Sequence, residues 1–139
     1  MDSEKFLFSI VDNVQRRESE LGFSMLSPKE QVFLLVWSLE AEVNNGGFHQ
    51  FFFNSEGDRF AETAEALRTI GAVQMAEIVD RANNVLGTQS LSPRRLLRQE
   101  QLESLTEDQE DFLSELDTRF YEYPENLSEL LATYMRAEA

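Results

Sequence analysis

The stretch NNGGFHQFFFN, residues 44–54, decides the fold of this chain. It contains four phenylalanines, two adjacent glycines and the only histidine of the protein. Asparagine and glycine tolerate the left-handed conformation that ends a helix, so the first four residues predict a turn after a helix. Phe48, Phe51 and Phe52 then recur at i, i+3 and i+4, which places them on one side of a short second helix. We therefore predict that these three rings plug the core.

The composition indicates one soluble domain. A chain of 139 residues without cysteine can bury a sizeable core unaided by disulfides, and it suits a reducing compartment. The first five residues are acidic rather than basic, and no apolar run approaches the roughly 18 residues of a membrane span. We expect a cytoplasmic protein that folds over residues 1–139 as a single unit.

The charge is strongly negative and unevenly distributed. Twenty-six Asp and Glu residues against twelve Lys and Arg give a formal net charge of −14 and a pI near 4.4. Residues 100–139 hold twelve of these acids, Glu138 included, and only two basic residues, which assigns −10 to that segment. Such a field disfavours nucleic acid and anionic membranes as partners and favours basic protein surfaces.

Helix signals recur along the whole chain. Residues 3–20 have helical periodicity and are followed by Gly22, and Ser27-Pro28-Lys29-Glu30 predicts a capping box that opens a central, largely apolar helix. Further helix openings are predicted at Ser92-Pro93, at Thr106 to Gln109 and at Asn126. No stretch alternates apolar and polar residues over a useful length. The predicted fold class is all-α, a single compact domain of about six to eight helices.

Catalytic and metal-binding patterns are absent from the sequence. His49 has no cysteine or second histidine to complete a zinc site, and the Gly46-Gly47 pair lacks the context of a phosphate-binding loop. The segment around Gly57 superficially resembles a calcium loop, but no glutamate stands at the required twelfth position. We predict no catalytic residue, no metal and no cofactor, and a protein that is not an enzyme.

The acidic residues after Glu100 form the strongest functional pattern. Glu100, Glu103, Glu107, Glu110, Asp111 and Glu115 follow one another at helical spacings, with leucines and Phe112 on another face. Carboxylates four residues apart on a helix lie about 6 Å apart along its axis, close to the step between phosphates along a DNA strand. The predicted partner-binding residues are Glu103, Glu107, Asp108, Glu110, Asp111, Glu115 and Asp117.

A longer segment, residues 43–58, resembles the signature of a bacterial family of small acidic DNA-mimic proteins. The Ser-Pro-x-Glu opening before it and the segment 67–72 after it are also similar to that family, so the resemblance covers about residues 27–87. It implies an all-α homodimer whose acidic surface occupies the DNA-binding face of a transcription factor or nucleoid protein. The motif residues are then mainly structural: Asn44, Asn45, Gly46, Gly47, Phe48, His49, Gln50, Phe51, Phe52, Asn54, Gly57 and Asp58.

The resulting hypothesis is a DNA mimic that binds a basic DNA-binding protein and competes with DNA. One alternative is an immunity or antitoxin-like inhibitor of a basic toxin, which would have one dedicated partner. Another is a ligand-binding domain with a pocket at Asn44, Asn45, His49 and Gln50. The basic cluster Arg94-Arg95-x-x-Arg98 departs from a uniformly acidic surface, and it either lies on the opposite side or pairs with acids.

Overall fold

The computed structural model describes residues 2–137, which contain seven α-helices and no strand. The predicted all-α fold of six to eight helices in one compact domain is confirmed. No helix in the described part combines the length and apolar character that a membrane crossing needs. The helices are α1 Ser3–Leu21, α2 Pro28–Phe53, α3 Phe60–Thr69, α4 Val73–Asn83, α5 Arg95–Glu103, α6 Glu107–Tyr121 and α7 Leu127–Arg136.

Local capping starts three of the seven helices as predicted. The side chains of Ser27 and Thr106 each accept a hydrogen bond from the third helical residue, and both capping boxes are complete. Asn126 caps α7 in the same way, through the Glu129 N–H. The predicted opening at Ser92-Pro93 is wrong by two residues, because α5 begins at Arg95. The Ser92 and Pro93 carbonyls instead accept hydrogen bonds from Arg98.

The central position of α2 is confirmed. Residues on several sides of this helix are fully buried, and it packs against α3, α5 and α6 and more lightly against α1 and α7. The Asn-Asn-Gly-Gly segment produces a kink inside α2 rather than a loop, since only Gly46 (φ −159°, ψ 20°) and Gly47 (φ 76°, ψ −175°) leave the helical region. After the kink, Phe48, Phe51 and Phe52 are 0% exposed, so the predicted aromatic plug is present.

One ion pair joins the first two helices and makes stability depend on pH. The Arg17 Nε donates to Glu30 Oε2 at 2.8 Å. Burial alone would raise the pKa of Glu30, but hydrogen bonds from the Ser27 N–H and Arg17 outweigh it and hold the pKa below its ordinary value. A depressed carboxyl pKa contributes stability above the unfolded-state value, and that stability is lost as the pH falls through the folded-state value.

We expect Glu30→Gln to remove this part of the acid sensitivity while keeping the cap, because glutamine still accepts from the Ser27 N–H. Urea unfolding from about pH 6 down to about pH 3 should show wild type losing its advantage over the variant as Glu30 becomes protonated. Glu20→Gln, an exposed position on α1, is the control and should run parallel to wild type. A wild-type advantage that persists at about pH 3 would contradict this prediction.

Candidate partner-binding surface

The acids of α6 are exposed because its apolar residues turn the other face inward. Leu113, Leu116 and Phe120 are buried at helical spacing, and they attach α6 to the core. The remaining faces carry five exposed acids, and a sixth, Glu103, is exposed at the end of α5. We define the acidic set as Glu103, Glu107, Asp108, Glu110, Asp111 and Glu115.

The acidic set does not lie on one helix. The spacing from Glu100 to Glu115 favoured a single row, but α5 ends at Glu103 and α6 starts at Glu107. The capping box of Thr106 starts the new helix, and Leu105 between the two packs against the core cluster. Glu103 therefore sits at the carboxyl end of one helix, whereas the other five acids lie within the first nine of the 15 residues of the next.

Asp117 has a different environment from the rest of the predicted binding residues. Its side chain is partly buried, and its Oδ1 accepts a hydrogen bond from the Phe48 N–H at 2.8 Å. Burial raises the pKa of this carboxyl, against the opposing effects of the Phe48 N–H and the charge of His49. The position shares the core-facing side of α6 with Leu113 and Phe120. Asp117 thus caps the second half of α2 at the kink and is not one of the exposed acids.

The acidic set is not neutralised by the protein's own basic residues. Within residues 2–137, none of its six members forms an ion pair with Lys or Arg. The ion pairs of the described chain use other acids, namely Glu30, Asp58, Glu62, Glu65 and Asp80. The negative charge of α5 and α6 is therefore left for solvent or a partner.

The basic cluster at the start of α5 is used inside the protein. Arg98 is 0% exposed, and its guanidinium donates to the carbonyls of Phe52 and Asn54 and to Asp58 Oδ1. Arg95 donates to the other oxygen of Asp58 at 2.7 Å. Arg95 and Arg98 therefore both pair with Asp58, an acid of segment 43–58. Arg94 is exposed and forms no such pair in the described structure.

The other residues of the segment make contacts that shape the backbone. Gln50 Nε2 and Asn54 Nδ2 both donate to Glu42 Oε2, at 2.7 and 3.0 Å. A Cβ at Gly57 would lie 2.3 Å from the Phe51 carbonyl oxygen, so only glycine fits against the end of α2. These contacts hold the segment against itself and against the part of α2 that precedes it.

The same segment falls inside a sequence match. A family model described as DMP19-like protein matches residues 24–138. The chain belongs to the DMP19-like protein family. The matched region of this DMP19-like protein begins just before α2, continues through α7 and includes the acidic set. Helix α1 precedes the matched region. Comparison with curated proteins and with solved structures gave no match.

The ligand-binding alternative requires that Asn44, Asn45, His49 and Gln50 of this DMP19-like protein line one pocket. Asn44 donates to the Tyr123 hydroxyl at 2.8 Å and lines a groove of about 310 Å³, which the other three residues do not line. Asn45 and His49 are exposed, and the His49 ring stacks on Phe53 with centroids 6.2 Å apart. Within residues 2–137, no group of three or more His, Asp or Glu side chains is arranged to hold a metal ion.

Proposed function

We propose that this DMP19-like protein is a DNA mimic that binds the DNA-binding face of a basic transcription factor or nucleoid protein and excludes DNA from it. The observation that supports the proposal is the acidic set: six exposed carboxylates on α5 and α6 with no ion-pair partner in the described chain. The protein would act by binding alone, as a competitive inhibitor in the cytoplasm and as a homodimer.

The spacing on α6 suits this role. Glu107 and Asp111, and likewise Asp111 and Glu115, are one helical step of four residues apart, or about 6 Å along the axis. That distance is similar to the step between neighbouring phosphates on a strand of DNA. Lysine and arginine side chains arranged to neutralise phosphates would meet carboxylates at a comparable pitch.

The position of these acids on α6 also limits how much their mutual repulsion destabilises the helix. Like charges four residues apart destabilise a helix by a few tenths of a kcal/mol for each pair. Glu107, Asp108 and Glu110 lie in the first turn of α6, where the positive end of the helix dipole stabilises negative charge by about 0.3–1 kcal/mol each. The helix therefore tolerates a charge density that would otherwise weaken it, and the charge remains available to a partner.

The test compares two triple variants that remove the same charge. The first, E107Q/E110Q/D111N, neutralises part of the acidic set. The control, D12N/E20Q/E129Q, neutralises three exposed acids on α1 and α7. Each protein is immobilised, exposed to cell lysate at low salt and washed with duplex DNA, and the displaced proteins are identified by mass spectrometry.

We expect wild type and the control to capture DNA-binding proteins that duplex DNA displaces, and the first variant to bind them about tenfold more weakly. Affinity for a purified captured protein should fall steeply between low and high salt, since the attraction is between solvated charges. Equal losses in both variants would show dependence on overall charge and contradict the proposal. Capture of a single toxin that DNA cannot displace would favour the inhibitor alternative.

A further inference from the structure

A second surface, away from the acidic set, combines aromatic rings with carboxylates. It is the groove of about 310 Å³ between α1 and α2, which Ser128 of α7 also lines. Glu4 and Phe8 line it from α1, and Trp37, Glu40 and Asn44 line it from α2. The spacings are i, i+4 on one helix and i, i+3, i+7 on the other, so each helix contributes one continuous face. We call this the aromatic groove.

The two aromatic rings of the groove differ in their surroundings: Trp37 packs on a buried ring, whereas Phe8 is largely exposed. The Trp37 ring stacks on the buried Phe33 ring, with centroids 5.5 Å apart and planes 16° apart. Phe8 meets Trp37 edge to face at 5.3 Å and is itself 64% exposed. Trp37 is therefore held in place by the core, while a large apolar ring beside it stays in contact with solvent.

The Glu40 carboxylate is oriented by a hydrogen bond from a segment distant in sequence. The Tyr123 hydroxyl donates to Glu40 Oε2 at 2.6 Å and accepts from Asn44 Nδ2 at 2.8 Å. Burial and the hydrogen bond to Glu40 raise the pKa of Tyr123 to about 12, so the hydroxyl remains a donor at neutral pH. Glu40 Oε1 accepts no hydrogen bond within residues 2–137. Glu4 adds a second negative charge, and no basic residue among residues 2–137 lines the groove.

We propose that the aromatic groove binds an arginine side chain of a protein partner, with the guanidinium against the exposed Phe8 ring beside Trp37 and paired with Glu40. A guanidinium is planar, weakly hydrated and permanently charged, so it stacks on an aromatic face and pairs with a carboxylate at the same time. The apolar stem of the side chain would pack against Phe8.

This site is independent of the proposed DNA mimicry. It lies on α1 and α2, whereas the acidic set lies on α5 and α6. Glu4 and Phe8 also precede the segment that matches the DMP19-like family, so family membership does not imply this wall of the groove. The site can exist whether or not the acidic set imitates DNA.

Trp37 is the only tryptophan of the chain, so its fluorescence reports on the groove directly. The probe is the peptide acetyl-Gly-Arg-Gly-amide, and its matched control carries citrulline, a neutral analogue of the same shape, in place of arginine. At constant ionic strength we expect a saturable change in Trp37 emission with the arginine peptide only. Glu40→Gln and Phe8→Ala should each raise the half-saturating concentration about fivefold or more, since each removes one of the two interactions.

Two further variants separate the possible outcomes. Glu20→Gln, an exposed charge on α1 outside the groove, and E107Q/E110Q/D111N should both keep the wild-type response. No saturable response to arginine, or an equal response to citrulline, would overturn the proposal. Emission that changes with protein concentration alone, and not with peptide, would assign the groove to a second copy of the chain and would overturn it as well.

Discussion

Replacing Arg98 with methionine is expected to destabilise the protein by about 3–5 kcal/mol. Arginine carries five N–H donors, and all five are used here in a fully buried setting. Nε donates to the Phe52 carbonyl, Nη1 to the carbonyls of Ser92 and Pro93, and Nη2 to the Asn54 carbonyl and Asp58.

The loss of stability is large because the oxygen atoms that accept hydrogen bonds from Arg98 remain in the methionine variant. Methionine fills a similar volume but leaves the Phe52, Ser92 and Pro93 carbonyls without a donor. The Asn54 carbonyl and Asp58 Oδ1 each lose one donor and keep another, from Gly57 and Arg95 respectively. Each buried polar group that loses its partner costs about 1–3 kcal/mol, partly relieved where water can reach it. Lysine should not rescue the fold fully, because a single ammonium cannot direct donors to acceptors on both sides of the guanidinium plane.

Neighbouring arginines provide the controls for this prediction. Arg94→Met changes an exposed side chain and should alter the free energy of unfolding by no more than about 0.5 kcal/mol. Arg95→Met removes a half-exposed ion pair with Asp58 and should cost about 1 kcal/mol or less. All three variants are compared by urea unfolding at neutral pH. A midpoint for Arg98→Met close to that of Arg94→Met would refute the structural role assigned to Arg98.

Replacing Gly47 with alanine is expected to cost about 2–5 kcal/mol, for two separate reasons. The backbone at φ 76° and ψ −175° belongs to a region that only glycine adopts readily, and the strain is about 1–3 kcal/mol. In addition, the new Cβ would lie 2.4 Å from Asp117 Oδ2. The carboxylate would have to move, and the Phe48 N–H would lose its acceptor.

Gly71→Ala separates strain from collision. Gly71 also has a positive φ, 88°, but a Cβ there meets nothing within 4 Å, so about 1 kcal/mol is expected from strain alone. The collision itself is measured by a double-mutant cycle: Asp117→Ala should cost less in the Gly47→Ala background than in wild type. Thermal or urea unfolding of the four proteins gives the coupling, and strict additivity would show that the side chains do not collide.

The kink also positions the proposed binding helix. Asp117 joins α6 to the Phe48 N–H just after the kink, and the Tyr121 hydroxyl donates to the Val43 carbonyl just before it at 2.6 Å. Both contacts hold the inner side of α6, whose outer side carries most of the acidic set. The apolar segment that follows the kink and the acidic helix are thus directly connected, although they are about 70 residues apart in sequence.

The sequence predicted the fold better than the site. Helix class, the complete capping boxes at Ser27 and Thr106 and the burial of Phe48 all followed from patterns of three or four residues. The acids from Glu100 onward have continuous helical periodicity but do not form one row on one helix, because α5 ends at Glu103 and the predicted Thr106 cap starts α6. Asp117 was grouped with the exposed acids, although its spacing from Leu113 and Phe120 indicates the inner face of α6.

The sequence by itself determined what depends on near neighbours and on composition: where most helices begin, the break at Gly46-Gly47 and the excess of negative charge. Tertiary structure alone decided which polar side chains are committed inside the protein. Arg98 reaches the Phe52 carbonyl across 46 residues, Asp117 reaches Phe48 across 69, and Tyr123 reaches Glu40 across 83. Helix packing determines these hydrogen-bond partners, because a side chain can bond only to polar groups that the folded chain brings within about 3 Å of it.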